Sequence, residues 1–135
     1  MGRTITSTMS PAQFDIDRQR IGYSTEDVAL ELGVTMRTVA WWYTDRNPSQ
    51  RAAEWIEKKT ASHLRNVVAV VDAMSDIHAT GLPVELVRYP TKVRIRQTAT
   101  GFKHPRHCDA FLRDVSTQLL LLDIPHRIIT EKIDN

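Results

Sequence analysis

The stretch GYSTEDVALELGVTMRTVAWWYTDRNPS, residues 22 to 49, decides the fold of the first half of this 135-residue chain. It holds two short apolar patterns of helical period on either side of Leu32-Gly33-Val34. Ser24 and Thr35 stand where helix N-caps are expected, and the glycine stands where a helix ends in a left-handed residue. The stretch therefore predicts two short helices joined by a tight turn.

Two adjacent tryptophans in this stretch raise a question about the second helix. Neighbouring residues on a helix point about 100° apart, so Trp41 and Trp42 cannot both face one core. One of them is expected to be exposed, and a large exposed aromatic is costly unless something binds it.

Outward from this stretch, the elements predicted are mostly helices. Ser10 and Pro11 are suited to start a first helix that ends near Gly22, and Pro48-Ser49 opens a long helix that runs to about Thr80. VELVRY (84–89) and KVRIRQT (92–98) alternate and predict strands, with a short helix as the alternative for the second. CDAFLRDVSTQLLLLD (108–123) predicts an amphipathic helix. The first nine residues are small and polar and predict disorder.

Composition places the chain among globular proteins of a reducing compartment. With 41% hydrophobic and 25% charged residues and one cysteine, Cys108, it can form no intrachain disulfide. Neither an apolar run of membrane-spanning length nor a signal-peptide segment is present, so we expect a cytoplasmic protein without membrane contact. The net charge is +2, yet residues 86 to 108 hold six basic side chains and no acid. That run is either a solvated loop or a surface for phosphates.

The spacing of residues 10 to 56 resembles the lambda-repressor or Cro type of helix-turn-helix domain. The shared features are a Leu-Gly-Val turn, an apolar residue at Val39, a tryptophan three positions later at Trp42, and Pro48-Ser49 opening the next helix. The resemblance implies that Trp42 is the core tryptophan and that Trp41 faces DNA. The alternative is that Trp41 packs against the C-terminal part of the chain or against a partner, since aromatic residues are also enriched at protein interfaces. The sequence departs from the family pattern at Thr25 and Met36, where a groove-reading glutamine is common, which shifts the expected readout toward apolar contact and DNA shape.

The resemblance also implies a set of DNA-binding residues. On the groove side these are Thr25, Thr35, Met36, Arg37, Ala40, Trp41 and Thr44, with Arg18 and Arg46 as contacts to the backbone. Arg37 is expected to bond a guanine edge, and the two threonine caps to hold phosphates. Further backbone contacts are expected from the basic run, at Arg88, Lys92, Arg94 and Arg96.

The remainder of the chain has a fainter likeness, by layout, to the YdiL-like and anti-CRISPR-associated small repressors, which join such a domain to a dimerising part. The expected fold is therefore mainly α, with a disordered 1–9, a lambda repressor-like helix-turn-helix domain at 10–57 and a small α+β dimerisation part at 58–135. The expected dimerisation residues are Phe111, Val115, Leu119, Leu120 and Leu122, because the run from Leu119 to Leu122 is more apolar than one helix face requires.

These features predict a dimeric transcriptional regulator, most simply a repressor that binds an inverted repeat in double-stranded DNA. The alternative is an interaction module with the same fold, either an antitoxin or a protein- or RNA-binding adaptor. HPRHC (104–108) has close histidines and a thiol but lacks a recognised metal-binding spacing, and no nucleophile triad or glycine-rich phosphate loop is evident. No enzyme activity, metal or cofactor is expected.

Overall fold

The computed structural model describes residues 5–97 and 101–132 of the chain. In that part the protein is mainly helical, with a small two-stranded parallel sheet. The elements in chain order are α1 (Pro11–Arg20), α2 (Thr25–Leu32), α3 (Met36–Thr44), α4 (Gln50–Ala79), β1 (Glu85–Arg88), α5 (Lys92–Arg96), α6 (Pro105–Leu121) and β2 (Arg127–Thr130). They form two compact units, one up to His63 and one from Leu64, so that α4 contributes to both.

The first unit packs α3 against both α1 and α2. Phe14, Val28, Val39 and Ile56 are fully buried at its centre. Trp42 joins this core, with its ring edge-to-face to Phe14 at 5.6 Å between centroids. The inward position predicted for Trp42 is therefore confirmed, and the aromatic contact adds to the area that the side chain buries.

The segment before α1 departs from the prediction of disorder. Met1–Thr4 lie outside the described residues, but residues 5–7 are bonded to the chain around the start of α4. Ser7 is buried, and both its amide and its hydroxyl donate to the carbonyl oxygen of Pro48, at 2.9 and 2.8 Å. The amide of Gln50 donates to the carbonyl of Ile5 at 2.7 Å. The prediction is wrong for residues 5–7, because small polar residues such as Ser7 are suited to bonding a main-chain turn as well as to remaining in solvent.

The second unit covers the parallel pair β1–β2 with α6, which packs on β1. The register places Leu86 beside Ile128 and Val87 beside Ile129. Its fully buried side chains include Ile95, and the last part of α4 contributes Val67 and Val71. Strand β1 confirms the strand predicted at 84–89, whereas β2 was not predicted because RIIT is too short to stand out by alternation.

The strand predicted at KVRIRQT is wrong: residues 92–96 form the helix α5, and Thr98 lies outside the described residues. Thr91 caps this helix by accepting a hydrogen bond from the amide of Arg94 at 3.1 Å. A strand would have placed Val93 and Ile95 on one face, but Val93 is 70% exposed while Ile95 is fully buried. One buried isoleucine and a cap therefore outweigh the strand propensity of the segment.

The predicted dimerisation stripe on α6 also requires correction. Val115 and Leu119 are fully buried in the second unit's own core and present no surface to a partner. Phe111 is half-buried against Phe102, with ring centroids 5.5 Å apart. Leu120 and Leu122, together with Leu121, are the exposed members, at 65%, 56% and 72% respectively.

Candidate nucleic-acid interface

Side-chain caps and a glycine fix the turn that joins α2 to α3. At the start of α2, the Ser24 hydroxyl accepts from the Asp27 amide at 3.1 Å and the Asp27 carboxylate accepts from the Ser24 amide at 2.9 Å. This reciprocal pair is a capping box. Gly33 ends α2 with a φ of +67°, a left-handed backbone conformation that residues other than glycine rarely adopt. Thr35 then begins α3 by accepting from the Thr38 amide at 3.1 Å. The turn between the two helices is therefore fixed at both of its ends.

The two faces of α3 differ sharply in exposure. Val39 and Trp42 face the core, and the opposite face exposes Met36, Arg37, Ala40 and Thr44, with Trp41 half-buried among them. Met36 keeps 53% of its surface in solvent. The Thr44 hydroxyl is used locally, since it donates to the Ala40 carbonyl at 3.2 Å. The residues predicted on the groove side of α3 thus share one surface.

Two guanidinium groups contact the ring of Trp41. That of Arg46 lies 3.9 Å from the ring centroid and that of Arg37 lies 5.6 Å away. The amide of Arg46 also donates to the carbonyl of Trp41 at 3.0 Å, which turns the chain back over the end of the helix. The indole therefore lies beside two cations that come from either side of it in the sequence, a cation–π arrangement.

These two arginines differ in ion pairing from five of the ten other arginines described. Neither Arg37 nor Arg46 is ion-paired to a carboxylate within residues 5–97 and 101–132, whereas five other arginines are: Arg18, Arg20, Arg88, Arg94 and Arg127. An exposed guanidinium without an acidic partner keeps its positive charge and its donors available for an anion. We call the surface formed by Met36, Arg37, Ala40, Trp41, Thr44 and Arg46 the α3 face.

Arg18 has a different place from the one predicted. Its guanidinium donates to the Asp15 carboxylate at 2.6 Å and to the carbonyl of Tyr23 at 2.8 Å, and it lies 4.6 Å from the ring centroid of Tyr43. Its side chain is 18% exposed. These contacts join α1 to the segment before α2, so Arg18 belongs to the scaffold and not to the α3 face.

The threonines predicted at the interface lie at helix starts. Thr25 is the half-buried first residue of α2, and Thr35 is exposed with its hydroxyl 3.0 Å from that of Thr38. Thr38 was missed from the sequence, although its position three residues after the N-cap is where capping brings a side chain close. The first turn of α3 thus presents a pair of hydroxyls next to unsatisfied helix amides.

The basic run in the second unit is partly neutralised. Arg88 binds both oxygens of Asp109 at 2.9 and 3.1 Å, and this hydrogen bonding raises the pKa of Arg88 above its usual value. Arg94 binds Glu131 at 2.6 Å in the same manner. Lys92 and Arg96 are exposed. Of the four cations predicted to contact a backbone, two are therefore engaged with carboxylates that lie far from them in the sequence.

In the second unit, Cys108 is buried, and Ser116 and His126 connect two elements of the fold. Cys108 is 3% exposed, and burial raises the pKa of its thiol to about 11, so the thiol is protonated at neutral pH. Ser116 and His126 were not singled out from the sequence because ten residues separate them, yet Ser116 Oγ and His126 Nε2 lie 2.6 Å apart. His126 Nδ1 lies 3.0 Å from the Ile124 carbonyl, so the ring joins α6 to the chain leading into β2.

Within the described residues, no group of three or more histidine, cysteine or acidic side chains is arranged to hold a metal ion. Among the helices described, none combines the length and apolar character that crossing a bilayer requires. Comparison of the chain with protein-family models gives no match, and neither does comparison with curated proteins.

Proposed function

We propose that this protein is a sequence-specific, DNA-binding transcriptional regulator of the helix-turn-helix type, with α3 as its recognition helix. The observation that carries the proposal is the α3 face, where the ring of Trp41 contacts two arginines that have no acidic partner in the described part of the chain. Nucleic acids combine dense negative charge with stacked apolar surfaces, and such a face suits both.

The dimensions of α3 fit a major groove. Its nine residues span about 13 Å, and a helix with side chains is about 10–12 Å wide, close to the width of the groove in B-DNA. The turn at Gly33 holds α3 against α2, so that α2 supports the helix from its inner side while the opposite face stays exposed. This is the arrangement that a helix-turn-helix domain needs.

Each side chain of the face has a proposed role. Arg37, near the start of α3, bonds the O6 and N7 atoms of a guanine. Trp41 packs on thymine methyl groups or on sugars, and Met36 adds apolar contact. Arg46 bonds a phosphate, and the hydroxyl of Thr35 with the first amides of α3 binds another.

The protein is proposed to act as a cytoplasmic homodimer, and most simply as a repressor. A two-fold dimer places two copies of α3 in successive major grooves, so the operator is an inverted repeat with half-sites about one helical turn apart. Lys92 and Arg96, the exposed members of the basic run, are candidates for additional phosphate contacts.

The experiment that tests the proposal is selection from a random duplex DNA library, followed by affinity measurements across salt concentration. We expect an enriched inverted repeat and a steep loss of affinity with salt, because phosphate contacts release counterions. Arg37→Ala is the diagnostic variant, and Arg65→Ala, at an exposed arginine of α4 in the second unit, is its matched control.

A second candidate function is a protein-binding module, an antitoxin included. It is favoured by the exposed apolar area of Met36 and by the tryptophan, since methionine and aromatic residues are common at protein interfaces. No enriched DNA sequence and a flat salt response would support it over the DNA-binding function. An RNA-binding adaptor would instead keep a steep salt response while preferring RNA over duplex DNA.

A further inference from the structure

The outer edge of β2 is open. All four residues, Arg127–Thr130, are exposed, and within the described residues β2 has a neighbouring strand on one side only. The amides of Arg127 and Glu131 donate to the carbonyls of Val84 and Arg88 at 3.1 and 2.8 Å, so the odd-numbered residues bond to β1. Because bonding directions alternate along a strand, the amides and carbonyls of Ile128 and Thr130 point away from β1. Exposed strand edges of this kind readily pair with another chain.

We infer that β2 pairs antiparallel with β2 of a second copy of this chain, which gives a four-stranded sheet in the order β1-β2-β2′-β1′. The inference deepens the proposed dimeric regulator by naming its dimer surface. It does not depend on DNA binding, because it concerns groups in the second unit alone.

The bonding pattern selects one register. In an antiparallel pair, the main-chain groups of two directly opposed residues either bond to each other or both point away from the partner strand. Ile128 of one copy can therefore stand opposite Ile128 or Thr130 of the other copy, but not opposite Ile129. The register that uses both outward residues of each strand places Ile128 opposite Thr130 of the second copy, and it centres the two-fold axis on Ile129. That register forms four main-chain hydrogen bonds.

The same register is complementary in charge. With Ile129 at the centre, Arg127 of one copy stands directly opposite Glu131 of the other, and symmetry makes this contact twice. Glu131 is also bound by Arg94 of its own copy at 2.6 Å, so its carboxylate would be shared between two arginines. Within one copy, the guanidinium of Arg127 contacts the carboxylate of Glu85 at 3.1 Å. The side chain of Arg127 remains 74% exposed, so it can reach a second carboxylate. The pentapeptide RIITE, residues 127 to 131, is thus self-complementary when paired antiparallel with itself.

Both faces of the sheet have exposed apolar side chains that this register would bring together. Ile129 and Val87 are neighbours on one face, each 37% exposed, and pairing brings the two copies of Ile129 together there. On the other face, Ile128 is 48% exposed and lines a groove of about 320 Å³ beside α6. Thr130 of the second copy would stand next to it.

The test is self-association of the full chain without DNA, measured by sedimentation equilibrium on parent and variants. Arg127→Glu and Glu131→Arg each place like charges opposite one another, and we expect each to weaken the dimer by on the order of tenfold. An equimolar mixture of the two variants restores opposite charges at both contacts. We therefore expect the mixture to recover association as a heterodimer.

Matched controls separate this contact from the pairs that Arg127 and Glu131 make within one copy. Arg94→Ala removes the intrachain partner of Glu131 and should leave the dimer close to that of the parent. Glu85→Arg removes the intrachain partner of Arg127 but leaves the contact between copies. The dissociation constant of its dimer should therefore be close to that of the parent. Ile129→Lys places two lysines at the two-fold axis and should dissociate the dimer, whereas Val87→Lys, equally exposed on the strand further from the axis, should do so much less. Circular dichroism of each variant verifies folding.

A parent chain that stays monomeric at high concentration would overturn the inference. So would a mixture that associates no better than its components, or a Glu85→Arg dimer weakened as much as that of Arg127→Glu. Since none of these measurements includes DNA, failure here is distinguishable from failure of the proposed function.

Discussion

The guanidinium of Arg46 lies 3.9 Å from the ring centre of Trp41, five residues earlier in the chain, while the Arg46 amide bonds the Trp41 carbonyl. The chain that follows α3 therefore turns back and places the Arg46 guanidinium against the solvent-exposed side of the helix. The contact orients the indole in the free protein, which would lower the entropic cost of using it in the proposed interface.

Substitution of the two adjacent tryptophans should affect different properties, namely stability for Trp42 and DNA binding for Trp41. Trp42→Ala removes a buried ring packed on Phe14 and should lower the free energy of unfolding by about 3–5 kcal/mol. Trp41→Ala should lower it by less than about 1 kcal/mol, because the side chain lies outside the core, but should weaken DNA binding. Urea unfolding and operator affinity of both variants measure this. Equal losses of stability would contradict the assignment of the two faces.

The two arginines beside Trp41 should separate base reading from phosphate binding. Arg37→Ala should weaken binding to the selected operator by about 1–3 kcal/mol and relax the preference at one base pair. Arg46→Ala should weaken binding to all duplexes alike and reduce the slope of log affinity against log salt by about 1. Fluorescence anisotropy with operator and scrambled duplexes gives both values. If the Arg37 variant bound the operator as tightly as the parent, α3 would be wrongly placed as the recognition helix.

Local rules predicted the first unit well. The caps at Ser10, Ser24 and Thr35 are confirmed by their hydrogen bonds to Gln13, Asp27 and Thr38. Capping needs a suitable side chain and a neighbouring amide three residues on, both of which can be read from a short window. The exposed face of α3 follows from the same helix once its core residues are known.

The second unit was harder to predict because long-range contacts decide it. Helix α5 exists where alternation indicated a strand, and β2 exists because RIIT meets β1 more than forty residues earlier. The pairing of Arg88 with Asp109 and of Arg94 with Glu131 could not be read from a run that contains no acid. Burial of Leu119 likewise depends on elements brought together by the fold.

Gly33 is expected to set the stability of the turn between α2 and α3. An alanine there meets no heavy atom within 4 Å of its Cβ, so the cost comes from the backbone, whose φ is +67°. Gly33→Ala should lower the free energy of unfolding by about 1–2 kcal/mol. Gly33→Asn should lower it less, because asparagine tolerates this conformation better. Thermal unfolding of the two variants checks the order, and an alanine variant as stable as the parent would show that the turn relaxes to another conformation.

Cys108 should be nearly unreactive while the second unit is folded. With its pKa raised to about 11 by burial, only about one thiol in a thousand is ionised at pH 8, and the side chain is 3% exposed. Alkylation by iodoacetamide should therefore be slow in buffer and fast in urea. Rapid alkylation of the native chain would contradict the burial of α6 against β1.

The same shift in pKa makes stability depend on alkaline pH. Between about pH 9 and pH 11 the unfolded chain has lost the proton of Cys108 while the folded chain retains it. The unfolded state then binds fewer protons, so the free energy of unfolding should fall as pH rises, by on the order of 2 kcal/mol in total. The Cys108→Ala variant should show a smaller fall, and Tyr43 and Lys59, whose pKa values are also raised, are common to both proteins and cancel in the comparison. Parallel curves for parent and variant between pH 8 and pH 11 would mean that the thiol has the same pKa in the folded and unfolded chains.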